Sequence, residues 1–179
     1  RPDLFGDAAV FEGQHQLAYS QLNFPLADRP FSWAVWVKPA GDGAILSRMD
    51  SQAAARGVDL FLFADGKFGM HIVDSWPGNA LKVLGNEPLT RGKWSHIVAT
   101  YDGSRKAAGI ALYINGKKQE VTVEADQLTG TFATHEPFRI GRRSKDAPLH
   151  GSVADVRLYH HALSTDEVVQ VLQGAVRRG

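Results

Sequence analysis

Hydrophobic and polar residues alternate along this chain far more often than they recur at helical spacing. In residues 31–38, Phe31, Trp33, Val35 and Val37 fall on one face and Ser32, Ala34, Trp36 and Lys38 on the other. That period of two is expected of a strand buried on at least one side. Turn signals separate further runs. Asp65-Gly66 lies between 58–63 and 67–73, and Asn115-Gly116 between 110–114 and 117–123; both dipeptides tolerate the positive φ of a type I′ hairpin turn. Asp102-Gly103 closes the run 94–101, and more strands are predicted at 8–11, 44–48, 81–84, 138–142 and 153–159, with loops at 53–56 and 74–79. One segment reads as a helix. Ser164-Thr165-Asp166-Glu167 is a capping box, with Ser164 as N-cap and Glu167 reaching back to it. Val168, Val169, Val171 and Leu172 form a short apolar stripe that Gly174 is expected to end. About ten to a dozen strands, one terminal helix and no βαβ alternation predict an all-β, two-sheet antiparallel β-sandwich.

Composition narrows the function classes. The chain has 179 residues, 20 Lys and Arg, 19 Asp and Glu, and a formal charge of +1. That length suits a single domain, with a core at about 8–173, and the near-neutral charge argues against a nucleic-acid partner. No cysteine is present, which excludes disulfides, thiolate metal sites and a cysteine nucleophile. The longest apolar stretch, 60–64, is far short of the ~20 residues of a membrane-inserted helix. Arg1-Pro2-Asp3-Leu4 shows no apolar leader. With Arg177-Arg178-Gly179 at the other end, the chain is expected to be a domain cut from a longer protein.

Several strings carry a resemblance. FSWAVWVKP (31–39), GAILSR (43–48), KWSHIVATYDG (93–103), ALYINGK (111–117), FRIG (138–141) and GSVADVRLYHHAL (151–163), in this order and spacing, resemble the laminin-G-like domain of the concanavalin A-like lectin/glucanase superfamily. The resemblance covers nearly the whole chain and implies a jelly roll of two curved sheets. Within the family, the segments 47–50, 56–60, 75–83 and 141–144 are similar to modules of large exported planctomycete-type proteins that also carry cytochrome-c-like domains. An extracytoplasmic location is implied by that resemblance alone.

The superfamily includes retaining glucanases, which need two carboxyls ~5–5.5 Å apart on a Glu-x-Asp-x-x-Glu strand. The nearest string here, 124–129, has Glu124 and Asp126 but Thr129 in the last place. The second essential carboxyl is therefore missing, no catalytic residue is expected, and a glycoside hydrolase is a remote alternative. Among seven His, none forms a His-Glu-x-x-His motif. His96, with Trp94 and Val98 on its strand face, is expected in the sandwich core. The resemblance implies that an acidic residue near the first strand and paired Asp residues near the last lie close together and can supply calcium ligands. Here those positions read Phe11-Glu12-Gly13 and Val153-Ala154-Asp155-Val156. Glu12 and Asp155 are thus candidate Ca2+ ligands, with Ala154 removing one carboxylate. The alternative is a surface carboxylate, with Asp155 paired to Arg157.

For binding, Trp76 in the loop 74–79 offers an indole that sugar C–H groups can stack on, unless it folds back as a lid. Arg48, Asp50, Arg56, Asp59, His71, Lys82 and the pair Arg142-Arg143 lie where strands meet loops, positions that commonly carry binding groups. They form either a glycan site or internal salt bridges. The resulting expectation is a non-catalytic recognition module that binds a glycan or glycosylated surface. A structural module that packs on neighbouring domains of the same polypeptide is the alternative.

Overall fold

The computed structural model describes residues 8–25 and 27–177. The strands are β1 (Ala9–Glu12), β2 (Leu17–Tyr19), β3 (Phe31–Pro39), β4 (Gly43–Asp50), β5 (Arg56–Leu62), β6 (Phe68–Ser75), β7 (Asn79–Gly85), β8 (Ser95–Tyr101), β9 (Ile110–Ile114), β10 (Lys117–Lys118), β11 (Val121–Gln127), β12 (Phe138–Ile140) and β13 (His150–Tyr159). They form two antiparallel sheets. One has six strands in the order β1-β13-β3-β8-β9-β10, the other seven in the order β11-β7-β6-β5-β4-β12-β2. Among the described residues a single α-helix, α1 (Thr165–Arg177), follows. Among the described residues no helix is long and apolar enough to cross a membrane.

Alternation sets the layers. Phe31, Trp33, Val35 and Val37 of β3 meet Val58, Leu60 and Leu62 of β5 and Phe68, Met70 and Ile72 of β6 in one buried inter-sheet core. At ~25 cal/mol per Å2 of apolar surface removed from water, such a core dominates the favourable side of folding. On the outer face of the six-stranded sheet, Ala34, Val98 and Tyr113 are covered by Leu163, Val168 and Val171, so α1 hides what would be an exposed apolar strip. The expected capping box is present. Ser164 N donates to Glu167 Oε2 at 2.7 Å, and Glu167 N donates to Ser164 Oγ at 3.2 Å.

Four local expectations change. The helix continues through Gly174 to Arg177, since packing against the sheet overrides the ~1 kcal/mol helix cost of one glycine. The run 117–123 is two strands, because the chain leaves the six-stranded sheet after β10 and enters the seven-stranded one at β11. The Asp65-Gly66 turn spans three residues, with Phe63 N donating to Lys67 O at 2.8 Å; Asn115-Gly116 is the two-residue turn, both residues having positive φ. His96 is buried, but on the outer face of the six-stranded sheet against Trp36, ring centroids 5.3 Å apart, rather than between the sheets.

Candidate functional site

The seven-stranded sheet turns its second set of side chains outward. Cross-strand pairing aligns them in rows, because residues opposite each other share a face. One row reads Arg139, Ser47, Asp59, His71 and Lys82 across β12, β4, β5, β6 and β7. The next reads Met49, Gly57, Val73 and Ala80. A polar row therefore lies beside an apolar one on the same surface.

Asp59 anchors the polar row. It is 0% exposed, and such a carboxylate is tolerable only if paired and hydrogen-bonded. His71 Nδ1 donates to its Oδ1 at 2.7 Å, and Arg143 Nε donates to its Oδ2 at 2.7 Å. Burial alone would push the Asp59 carboxyl up, but the charges and hydrogen bonds of His71 and Arg143 outweigh it and hold the carboxyl below its ordinary value. Because Asp59 accepts at Nδ1, a ring proton is assigned there, and in the neutral tautomer so defined Nε2 keeps a free lone pair. Arg143 also lies over the Phe61 ring, 4.9 Å from its centroid, and its Nη1 is 3.7 Å from Asp146.

Above this row sits a cavity of about 280 Å3 lined by Met49, Ala55, Phe61, Phe63, His71, Val73, Trp76 and Arg143. Trp76 is 42% exposed, and its indole meets the His71 ring edge-on, centroids 5.7 Å apart. Trp76 N donates to Ala54 O at 2.8 Å, tying the β6–β7 turn to the β4–β5 turn. Ala54 and Ala55 have φ of 50° and 57°, a left-handed conformation costing about 1–2 kcal/mol per residue without glycine. Strain of this kind tends to gather at functional sites. Lys82 supports the aromatic wall. Its Nζ is 2.5 Å from Glu124 and lies 5.1 Å from the Phe63 centroid and 5.8 Å from that of Trp76.

Trp76, His71, Asp59 and Lys82 thus lie near one another on this face. Of the pair 142–143, Arg143 lines the cavity; Arg142 does not, among the described residues, and its Nε is buried without a hydrogen-bond partner. Arg48 is across from Val58, on the core side of the sheet. It donates to the carbonyls of Thr134, Glu136 and Pro25 at 2.8, 3.1 and 3.3 Å, and burial lowers its pKa. Asp50 accepts from Gln52 N and Ala53 N in the following turn, and Arg56 pairs with Asp74. These three residues organise loops around the site instead of entering it.

Glu12 and Asp155 are not brought together. Glu12 is opposite His150 on β13, five residues from Asp155, or ~16 Å at a strand's rise. Asp155 lies in the β13 irregularity and accepts from Arg157 Nε and Nη2 at 2.9 and 2.8 Å, a bond that holds the Arg157 pKa up. Among the described residues no group of three His, Asp or Glu is placed to hold a metal. Glu124 and Asp126 are also separated by a register shift in β11: Glu124 pairs with Lys82, whereas Asp126 accepts from Ala107 N at 2.7 Å.

Phe61, Phe63, Met49 and Val73 were missed in the sequence. The usable signal was parity: with Val58, Leu60 and Leu62 facing the core, Asp59, Phe61 and Phe63 share the other face. Two phenyl rings beside a carboxylate on an outer face are the readable cue to this cavity.

Three solved structures illustrate the fold. A heptameric SAP-like pentraxin from Limulus polyphemus is 18% identical, covering 96% of this chain and 84% of its own, with a TM-score of 0.67. The CBM40 of the Ruminococcus gnavus IT-sialidase, bound to α2,3 sialyllactose, is 18% identical over 80% of this chain and 83% of its own, with a TM-score of 0.62. Domain 4 of a GH43 extracellular arabinanase from Geobacillus stearothermophilus, in complex with arabinotriose, is 21% identical over 93% and 76%, with a TM-score of 0.56. No curated protein matches the sequence. The profile of one family matches residues 11–169, and on that match the chain belongs to Laminin_G_3, of the Concanavalin A-like lectin/glucanases superfamily.

Proposed function

We propose that this domain is a carbohydrate-binding module that holds a sugar residue in the Trp76 cavity and carries out no covalent step. The observation that carries the reading is the pairing of an exposed indole with a rigid polar anchor, Asp59–His71–Arg143, in one cavity large enough for a single sugar ring. The indole offers a flat apolar face to C–H groups, while His71 Nε2 and the Arg143 Nη groups offer an acceptor and donors. Hydrolysis would require a second carboxyl within ~5–10 Å of the first. No Asp or Glu is among the cavity-lining residues described, and Asp59 beneath them is committed to His71 and Arg143. The ligands of the R. gnavus and Geobacillus modules, sialyllactose and arabinotriose, agree with a sugar-binding use of this fold.

We extend the proposal to the setting: a module within a larger exported protein, of the planctomycete type that the sequence resembles. A second reading, packing on a neighbouring domain, is favoured by Val10, Leu17 and Tyr19, exposed on the edge strands β1 and β2. None of the three residues lines the cavity, so both uses are compatible.

Isothermal titration against a glycan panel, including sulfated polymers, tests the reading. Trp76→Ala should weaken any detected binding by about tenfold, given stacking of ~0.5–1.5 kcal/mol beyond buried area. Unchanged affinity in that variant would refute the stacking mechanism, and no binding across the panel would refute the function.

A further inference from the structure

We propose that the cavity selects a sugar bearing an acetamido group; this rests on the carbohydrate-binding reading and names its ligand class. An acetamido substituent has three parts, an amide N–H, a carbonyl oxygen and a methyl group, and the cavity presents a counterpart to each. His71 Nε2 makes no hydrogen bond among the described residues, and in the tautomer whose proton faces Asp59 from Nδ1 it is the acceptor for an amide N–H. Arg143 spends Nε on Asp59 and keeps Nη donors for a carbonyl. Beside them the apolar row places Met49 and Val73 on either side of Gly57. Met49, Val73 and Ala55 line the cavity as one apolar wall.

The apolar wall discriminates. A hydroxyl placed there would lose its water and find no partner, which costs free energy, whereas a methyl group gains by leaving water. His71 and Val73 are two residues apart on β6, ~7 Å along the strand, so one amide bridges the hydrogen bond and the methyl contact. The charge balance argues against an anionic group as the main determinant. Arg143 is matched by Asp59 at 2.7 Å and faced by Asp146 at 3.7 Å, and Lys82 is matched by Glu124 at 2.5 Å. A neutral acceptor suits a guanidinium already neutralised in this way.

Matched pairs that differ by the acetamido group provide the test. Titrations of the intact domain would compare chitotriose with cellotriose, N-acetyllactosamine with lactose, and methyl N-acetylgalactosaminide with methyl galactoside; 3′-sialyllactose against lactose separates an acidic carrier from a neutral one. The expected result is about tenfold tighter binding of the acetamido member in at least one neutral pair. Val73→Thr, which replaces one methyl group by a hydroxyl, should narrow the gap between the two members of that pair. Equal binding within every pair, or preference for sulfated or uronic polymers, overturns the acetamido inference and leaves the carbohydrate reading standing. Absence of binding to any glycan overturns both. Because the pair comparison uses the unaltered protein, the outcome does not depend on the variant folding.

Discussion

Replacing His96 by Leu should remove a defined part of the domain's acid sensitivity. His96 is 1% exposed in β8, opposite Trp36 on β3, and its Nδ1 is buried without a hydrogen-bond partner among the described residues. Burial, opposed in part by Asp155 and assisted by Arg157, pushes its pKa from 6.5 down to about 4. In the unfolded chain the imidazole takes up a proton near pH 6.5, whereas the native protein takes it up only near pH 4. Between those values the unfolded state binds more protons, so stability falls as pH is lowered. A shift of this size corresponds to about 3 kcal/mol at 1.36 kcal/mol per pH unit, a large share of the ~5–15 kcal/mol that holds a domain folded. Above pH 6.5 the residue contributes no pH dependence. Urea denaturation of both chains from pH 4 to 8 measures the effect, and the difference between them cancels carboxylates common to both, Asp59 included. The stability gap between variant and wild type should shift in the variant's favour by about 3 kcal/mol on going from pH 7 to pH 4. Parallel pH profiles would refute the assignment of a neutral, desolvated His96.

Asp59→Ala leaves Arg143 and His71 facing each other without their shared carboxylate; chemical denaturation should show a loss of about 3–5 kcal/mol, as for other broken buried pairs. Arg48→Ala removes a charged donor from three backbone carbonyls and should cost about 1.5–3 kcal/mol, while calorimetry finds glycan affinity unchanged because the guanidinium lies on the core side. Ser164→Ala deletes the N-cap of α1 and should cost about 1 kcal/mol, read as a lowered thermal midpoint.

Periodicity made the sandwich legible. The alternation in β3 names its core side chains correctly, and the Asn115-Gly116 turn and the Ser164/Glu167 box fix a hairpin and a helix start, because each depends on local chemistry. What depends on tertiary context was not legible. β2 has three exposed residues and therefore no burial pattern to read. The crossing at Gln119–Glu120 and the β11 register shift are set by which sheet the chain joins. The same limit applies to the site. Asp59, His71 and Lys82 are evenly phased on three consecutive strands, so their convergence follows from pairing. Arg48 has the chemistry of a binding residue but the opposite facing, and β4 carries an irregularity between Ala44 and Leu46 that no local motif announces. Glu12 and Asp155 failed for a related reason: adjacency of two strands does not fix their stagger.

The central claim is that ligand is held on the outer face of the seven-stranded sheet, and NMR mapping tests it most directly. Isotope-labelled domain would be titrated with the tightest glycan of the panel while following the Trp indole N–H and His ring signals. The Trp76 indole and the His71 ring should shift together in a saturable manner, while Trp33, between the sheets, and His96, on the opposite face, stay in place. Saturable shifts gathered at Trp36, His96 and α1, with Trp76 and His71 unmoved, would contradict the account.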